Sequence, residues 1–258
     1  MNISGRVFAQ TGDKVGIGGF IITGTSSKRI MARAIGPSLQ HNGAALPGRL
    51  QDPYLELHDN AGSPSLANDN WRTSQEAEIQ QTGLAPAHDN ESAIVKRLSP
   101  GNYTAIIRGV DGSHGIGVVE LYDLSPNDPS ELGNLSVRAD VGTDDNVLID
   151  GLIIQGASSK RVLFRALGPS VKVNGNTIPG ALQNPTLDVH DGNGTVLRSN
   201  DNWPDAPNAG EIQDTGLAPP DNNESAVLLT LTPGNYTSIV RGVNRTTGIA
   251  LSEAYKLQ

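Results

Sequence analysis

Apolar positions along this chain recur in short runs with a period of two, the spacing of a strand that buries one face. The clearest runs are 15–23 (VGIGGFIIT), 28–35 (KRIMARAI) and 53–58 (PYLELH). In the second of these, Ile30, Ala32 and Ala34 share one face, and Met31, Arg33 and Ile35 the other. Strands are also predicted over 92–98, 103–110 and 115–121, with a weaker edge strand over 3–8. Gly36-Pro37 stops the second run, and the turns at 59–62 and 191–194 are rich in residues that tolerate φ > 0. Pro100-Gly101 and Pro233-Gly234 predict tight type II turns, which make the strands on either side hairpins. A single helical turn over 76–81 interrupts a polar stretch. About eight short strands per unit and almost no amphipathic helix predict a β-sandwich of jelly-roll type.

The pattern occurs twice. His58-Asp59, Trp71 and Gly36-Pro37-Ser38 return 132 residues later as His190-Asp191, Trp203 (203 − 71 = 132) and Gly168-Pro169-Ser170. Beyond the tryptophans the offset is 133, joining Asn90-Glu91-Ser92-Ala93 to Asn223-Glu224-Ser225-Ala226. The fold class is therefore all-β: two tandem jelly-roll-type β-sandwiches from an internal duplication. The first spans 1–124 and the second 134–258. Residues 125–133, beginning Ser-Pro-Asn-Asp-Pro-Ser, read as a linker.

Composition narrows the function classes. With 36% hydrophobic and 18% charged residues, the 258-residue chain is globular, and 30 glycines and 16 prolines suit many tight turns. The net charge of −8 argues against nucleic acid and against anionic membrane surfaces as partners. No apolar run approaches membrane-spanning length, so no membrane insertion is expected. Without cysteine there is neither a disulfide nor a thiolate metal site. Residues 1–10 lack a basic segment followed by an apolar run, so no secretory leader is expected there.

The internal copy filters the candidate chemistry. His41, His88 and His114 have no histidine counterpart, and the paired His58 and His190 suit surface strand ends. No nucleophile elbow or HExxH motif occurs, so an enzyme is not expected. Gly16-Ile17-Gly18-Gly19 faces Leu148-Ile149-Asp150-Gly151 in the second copy, which disfavours a phosphate loop. The acids kept in both copies are Asp59 with Asp191, Asp69 with Asp201, and Glu91 with Glu224. Among asparagines in loops, such carboxylates suit calcium. They suit equally the capping of turns through backbone amides. Trp71 and Trp203 have two readings, sugar-stacking platforms or large side chains pinning the irregular segment. Arg33 with Arg165, and Arg108 with Arg241, are expected to pair with kept acids.

PTLDVHDGNGTVLRSNDNW followed by EIQDTGLAPPDNNESAVLLTLTPGNYTSIVRGV resembles a repeat of large secreted bacterial proteins. Its second half is similar to the bacterial pre-peptidase C-terminal domain, a calcium-associated jelly roll attached to secreted enzymes. The resemblance implies an extracellular, non-catalytic module. It places calcium on Asp69, Glu91, Asp201 and Glu224, and on Asp59 and Asp191. The expectation is thus a secreted or cell-surface structural or adhesive protein whose partner is another copy of itself, head to tail. Residues 2–10 would act as a donor strand. The alternative is a carbohydrate-binding accessory module that holds polysaccharide through Trp71 and Trp203.

Overall fold

The computed structural model describes residues 2–59, 64–173 and 175–257. The chain divides into two compact units, Met1–Gly133 and Asn134–Gln258. Most of the predicted turn at 59–62 lies outside the described residues.

The first unit contains β1 (Asn2–Ala9), β2 (Gly16–Thr23), β3 (Lys28–Ile35), β4 (Pro53–His58), β5 (Pro64–Asn68), β6 (Ser92–Leu98), β7 (Gly101–Gly109) and β8 (Gly115–Asp123). All pair antiparallel, in the orders β1-β8-β3-β6 and β2-β7-β4-β5. Every connection except the β4–β5 hairpin crosses from one sheet to the other, which is the jelly roll. The second unit repeats it with β9 (Glu131–Val141), β10 (Leu148–Ile154), β11 (Lys160–Leu167), β12 (Pro185–Asp191), β13 (Val196–Asn200), β14 (Ser225–Leu231), β15 (Gly234–Gly242) and β16 (Gly248–Leu257). Its sheets run β9-β16-β11-β14 and β10-β15-β12-β13.

Two local expectations change. The Pro-Gly segments are corners between sheets rather than hairpin turns, because β6 pairs with β3 while β7 pairs with β2 and β4. Gly101 and Gly234 are accordingly the first residues of β7 and β15, and each corner is tied by a tyrosine. Tyr103 Oη donates to Ser99 O and Tyr236 Oη to Thr232 O, both at 2.8 Å. The 2–10 segment is no free donor strand. Residues 2–9 pair with β8 of their own unit, and Val7 and Ala9 are buried in its core.

Period-two alternation fills the space between the sheets. Leu55, Leu57, Ile107, Ala32 and Ala34 are all fully buried. Each large aliphatic side chain withdrawn from water stabilises the fold by roughly 1.5–3 kcal/mol. Strand β3 is buried on its other face as well, because a third layer covers it. There Met31, Trp71, Ile79, Ala93 and Val95 form one cluster, with Leu84, Ala85, Tyr122 and Leu124 packed on it. The covering segment contains α1 (Glu76–Gln81), and α2 (Ala209–Asp214) serves the second unit. Among the described residues no helix is long and apolar enough to cross a membrane.

The 125–130 segment packs on the first unit. Lys28, 1% exposed, donates to both Asp123 oxygens (3.0 and 2.8 Å) and to Ser125 O (2.9 Å). Ser130 Oγ donates to Ser26 O at 2.6 Å.

One of the differences between the two cores changes polarity. Gly18, Ala105 and Val119 of the first unit become Asp150, Ser238 and Ser252 in the second. Asp150 is 4% exposed on β10, and its Oδ1 has no partner. Ser238 Oγ lies 3.5 Å from Asp150 Oδ2 and 3.4 Å from Ser252 Oγ. Burial raises the carboxyl of Asp150 to about 7, opposed by the two serines and assisted by the charge of Glu253. Arg165 pairs with that glutamate. A folded-state value above the unfolded 3.8 means that the folded form holds the proton longer. Stability therefore falls as pH rises from about 4 to 7 and is level above, by at most about 4 kcal/mol. Melting of the wild type between these limits should show the decline, and Asp150→Asn should remove it.

Candidate functional site

The residues that the two copies share converge on the end of each covering segment. Glu91, fully buried, receives at Oε1 the amides of Gly36 (3.1 Å) and Ser38 (3.0 Å) and the Ser38 hydroxyl (2.6 Å). Its Oε2 accepts the amide of His88 at 3.2 Å. Glu224 does the same with Gly168 (2.8 Å), Ser170 N (2.9 Å), Ser170 Oγ (2.6 Å) and Asp221 N (3.3 Å). Glycine is required beside each staple because the Gly-Pro-Ser turn lies against a passing backbone. A Cβ on Gly36 would stand 2.2 Å from Leu50 O, and one on Gly168 1.8 Å from Leu182 O.

The neighbouring motif residues extend this knot. Ser92 Oγ sits between the carbonyls of Pro53 (2.5 Å) and Asp69 (2.6 Å), as Ser225 Oγ does between Pro185 and Asp201 (2.6 Å each). Asn68 Oδ1 accepts the amide of Ala93 at 2.9 Å, and Asn200 Oδ1 that of Ala226 at 2.9 Å. Gln75 Nε2 donates to Val95 O (2.8 Å) while its Oε1 accepts Val95 N (3.2 Å). Side-chain amides thereby cover the open edge of β6.

The tryptophans belong to the covering layer. Trp71 is 2% exposed, its Nε1 donates to His88 O (3.2 Å), and the Arg72 guanidinium lies 4.2 Å over its ring. A buried, covered ring cannot stack on a sugar, which corrects the platform reading for Trp71. Trp203 is half-buried in the cluster of Leu163, Ile212, Ala226 and Leu228. Both rings pin the irregular segment to the outer face of a sheet.

Arg33 and Arg165 reach across to the same segment. Arg33 donates to Glu120 (2.8 and 2.5 Å), Tyr122 Oη (2.8 Å) and Leu84 O (2.5 Å). Arg165 bonds Glu253, Tyr255 Oη (3.1 Å) and Leu217 O (2.6 Å). The pairing is legible in the sequence, but the acids are Glu120 and Glu253, adjacent through β3–β8 and β11–β16 registers that spacing does not reveal. Arg108 bonds Glu56 (3.1 Å) and Arg241 bonds Asp188 (2.7 Å). His58 Nε2 lies 2.9 Å from Glu56, whose carboxyl stays below the usual range because these two hydrogen bonds outweigh its desolvation.

The six acids do not gather. Asp191 Oδ1 accepts the amides of Asn193 and Thr195 (2.9 Å each), which hold its carboxyl low. Asp59 is exposed at the end of β4. Asp69 and Asp201 lie beside the residue at position 52 or its counterpart, 184. Asn184 oriented with its nitrogen toward them donates to Asp201 Oδ1 (3.0 Å) and Asn223 O (2.9 Å). In the first unit Asp52 stands there instead. Burial first, then Asp69 and Asp111, raise its carboxyl. Calcium takes roughly six to eight oxygen ligands. Among the described residues no group of three or more His, Cys, Asp or Glu is placed to hold an ion. Glu91 and Glu224 are engaged by N–H and O–H donors, so the donor set does not fit calcium.

Two substitutions test this. Glu91→Gln turns one acceptor into a donor facing amides and should cost about 2–4 kcal/mol in urea unfolding, in calcium and in chelator alike. Asp52→Asn copies the second unit and should stabilise by about 1 kcal/mol at neutral pH. The gain should shrink near pH 4, because a raised folded-state carboxyl costs stability only as pH rises.

No protein-family model and no curated protein matches the chain. Among solved structures it is similar to the tandem CBM51 modules of Sp3GH98, a family 98 glycoside hydrolase from Streptococcus pneumoniae. That match has a TM-score of 0.25 and 8% identity, over 90% of this chain and 78% of that one. It is also similar to the STIV MCP, with a TM-score of 0.22 and 12% identity, over 97% of this chain and 95% of that one.

Proposed function

We propose that the chain is a non-catalytic extracellular protein, structural or adhesive, that associates with further copies of itself. The observation that carries this reading is the use made of the shared polar residues. Glu91, Ser92, Asn68 and Arg33, with their second-unit counterparts, are all engaged in holding a covering segment to its own sheet. A duplicated active site would need shared groups turned toward a substrate.

Self-association is supported by an edge strand. Among the described residues strand β13 pairs only with β12, and it carries Val196 (51% exposed) and Leu197 (40% exposed). Such an edge accepts a further strand through its backbone. The first unit begins the equivalent strand with Pro64, which has no N–H to offer.

Sedimentation velocity and negative-stain microscopy of the intact chain should show concentration-dependent assembly. The double variant Val196→Lys, Leu197→Lys should remain monomeric with an unchanged melting temperature. A wild type that stays monomeric at high concentration would exclude self-association.

A further inference from the structure

In the first unit the loop that joins β2 to β3 seats the 125–131 segment. Gly24 holds φ 105°, and a Cβ there would stand 2.8 Å from Ser130 Cα, so the two backbones lie in contact. Ser130, 1% exposed, serves both backbone groups of Ser26. Its Oγ accepts the Ser26 amide at 3.0 Å and donates to the Ser26 carbonyl at 2.6 Å. Ser125 Oγ accepts the Arg29 amide at 3.0 Å, and Ser125 O accepts the Lys28 ammonium at 2.9 Å. Arg97 ties Ser27 O (2.9 Å) to Asp128 (3.3 Å). The loop thus recognises an extended segment through its backbone and two serine hydroxyls.

The second unit carries the same loop between β10 and β11. Gly156-Ala157-Ser158-Ser159-Lys160-Arg161 matches Gly24-Thr25-Ser26-Ser27-Lys28-Arg29 at five of six positions. The glycine turns in the same way, with φ 98°. Here, however, no atom lies within 4 Å of the place a Cβ on Gly156 would take, and residues 155–159 are exposed. Nothing stands where Ser130 stands in the first unit.

The charge differs too. Lys28 is neutralised by Asp123, whose counterpart is Lys256, since 256 − 133 = 123. Lys160 bonds instead to the hydroxyl of Ser158 at 3.0 Å, and no carboxylate of the described residues pairs with it. The φ of Gly156 requires glycine with or without an occupant. What points to an occupant is an open copy of a seat whose filled form the same chain displays.

We infer that the 155–161 loop of the second unit is a docking site for the linker of a further unit of this build. The occupant is an extended acidic segment with a serine between its carboxylates. The 125–131 segment, Ser-Pro-Asn-Asp-Pro-Ser-Glu, has this chemistry. Its second serine bonds the amide and the carbonyl of Ser158, and the flanking acids supply the carboxylate that Lys160 lacks. The site goes beyond the structural reading. It does not depend on self-association through β13, because a chain that stays monomeric still presents the loop.

The test is a titration of the intact, isotope-labelled chain with a synthetic peptide of residues 125–131, followed through its amide resonances by NMR. The resonances of Gly156, Ser158 and Lys160 should shift saturably, with a half-point of about 1 mM. A peptide carrying Ser130→Ala should leave them in place. The Lys160→Glu chain should fold, as its otherwise unchanged spectrum would show, and bind at least about tenfold more weakly. The inference fails if about 5 mM peptide shifts none of these amides, or if the shifts fall in the 24–29 loop instead. It fails also if the alanine peptide acts equally, or if the folded Lys160→Glu chain keeps wild-type affinity.

Discussion

A carboxylate closed off from water holds each unit in its shape. Glu91 takes four donors, three from the Gly36-Pro37-Ser38 turn after β3 and one from the covering segment. Without it those buried amides would lack partners, each at a cost of about 1–3 kcal/mol. The turn, the end of the segment and the start of β6 are thereby fixed to one another. The covering layer depends on that fixing. Trp71 can lie on Met31 and Val95 only if the loop that carries it is tied down. Arg33 can reach Leu84 O only if that loop returns over β3.

The third layer explains why β3 and β11 are so apolar on both faces. A sheet of an ordinary sandwich meets water on its outer side and reads as alternation. Here Ile30 and Ala32 face the partner sheet while Met31 faces the covering cluster, so three successive residues are buried. The arginines at positions 33 and 165 break the apolar run without breaking the layer. Each satisfies its charge with a glutamate from the neighbouring strand and offers its remaining N–H groups to a loop carbonyl and a tyrosine. A charged group in such a site is tolerated because its donors are matched.

The alternation of residues such as Leu55 and Leu57, with the breaks at Gly36-Pro37, makes the strands and the jelly roll legible in the sequence. The Pro-Gly corner is not legible, because adjacent strands in sequence look the same whether they pair or part between sheets. Only the partners of β6 and β7 decide. The kept acids are legible as important but not in their role. Glu91 meets Ser38 across 53 residues, and nothing in local spacing says that backbone amides would surround it. Lys28, a charged residue at a strand start, is buried because Asp123 and Ser125 receive all its donors. Pairing of that kind belongs to the tertiary register.

The two copies also part at particular positions. Shared residues in this protein serve shape, so the positions that diverge carry whatever distinguishes one unit from the other. Some divergences compensate in packing. Asp150 arrives together with two serines where the first unit has glycine, alanine and valine, a change that admits a polar group by making its surroundings polar. Asp52 against Asn184 changes a like-charge contact into a hydrogen bond, beside a glutamate staple that both units keep. The turns at Asp144 and Arg245 differ in kind, because the first unit makes them with Gly12 and Gly112 while the second sets an exposed ion pair there. At that loop end the units differ in exposed charge, whereas at Asp150 and at position 52 they differ in how a buried polar group is matched.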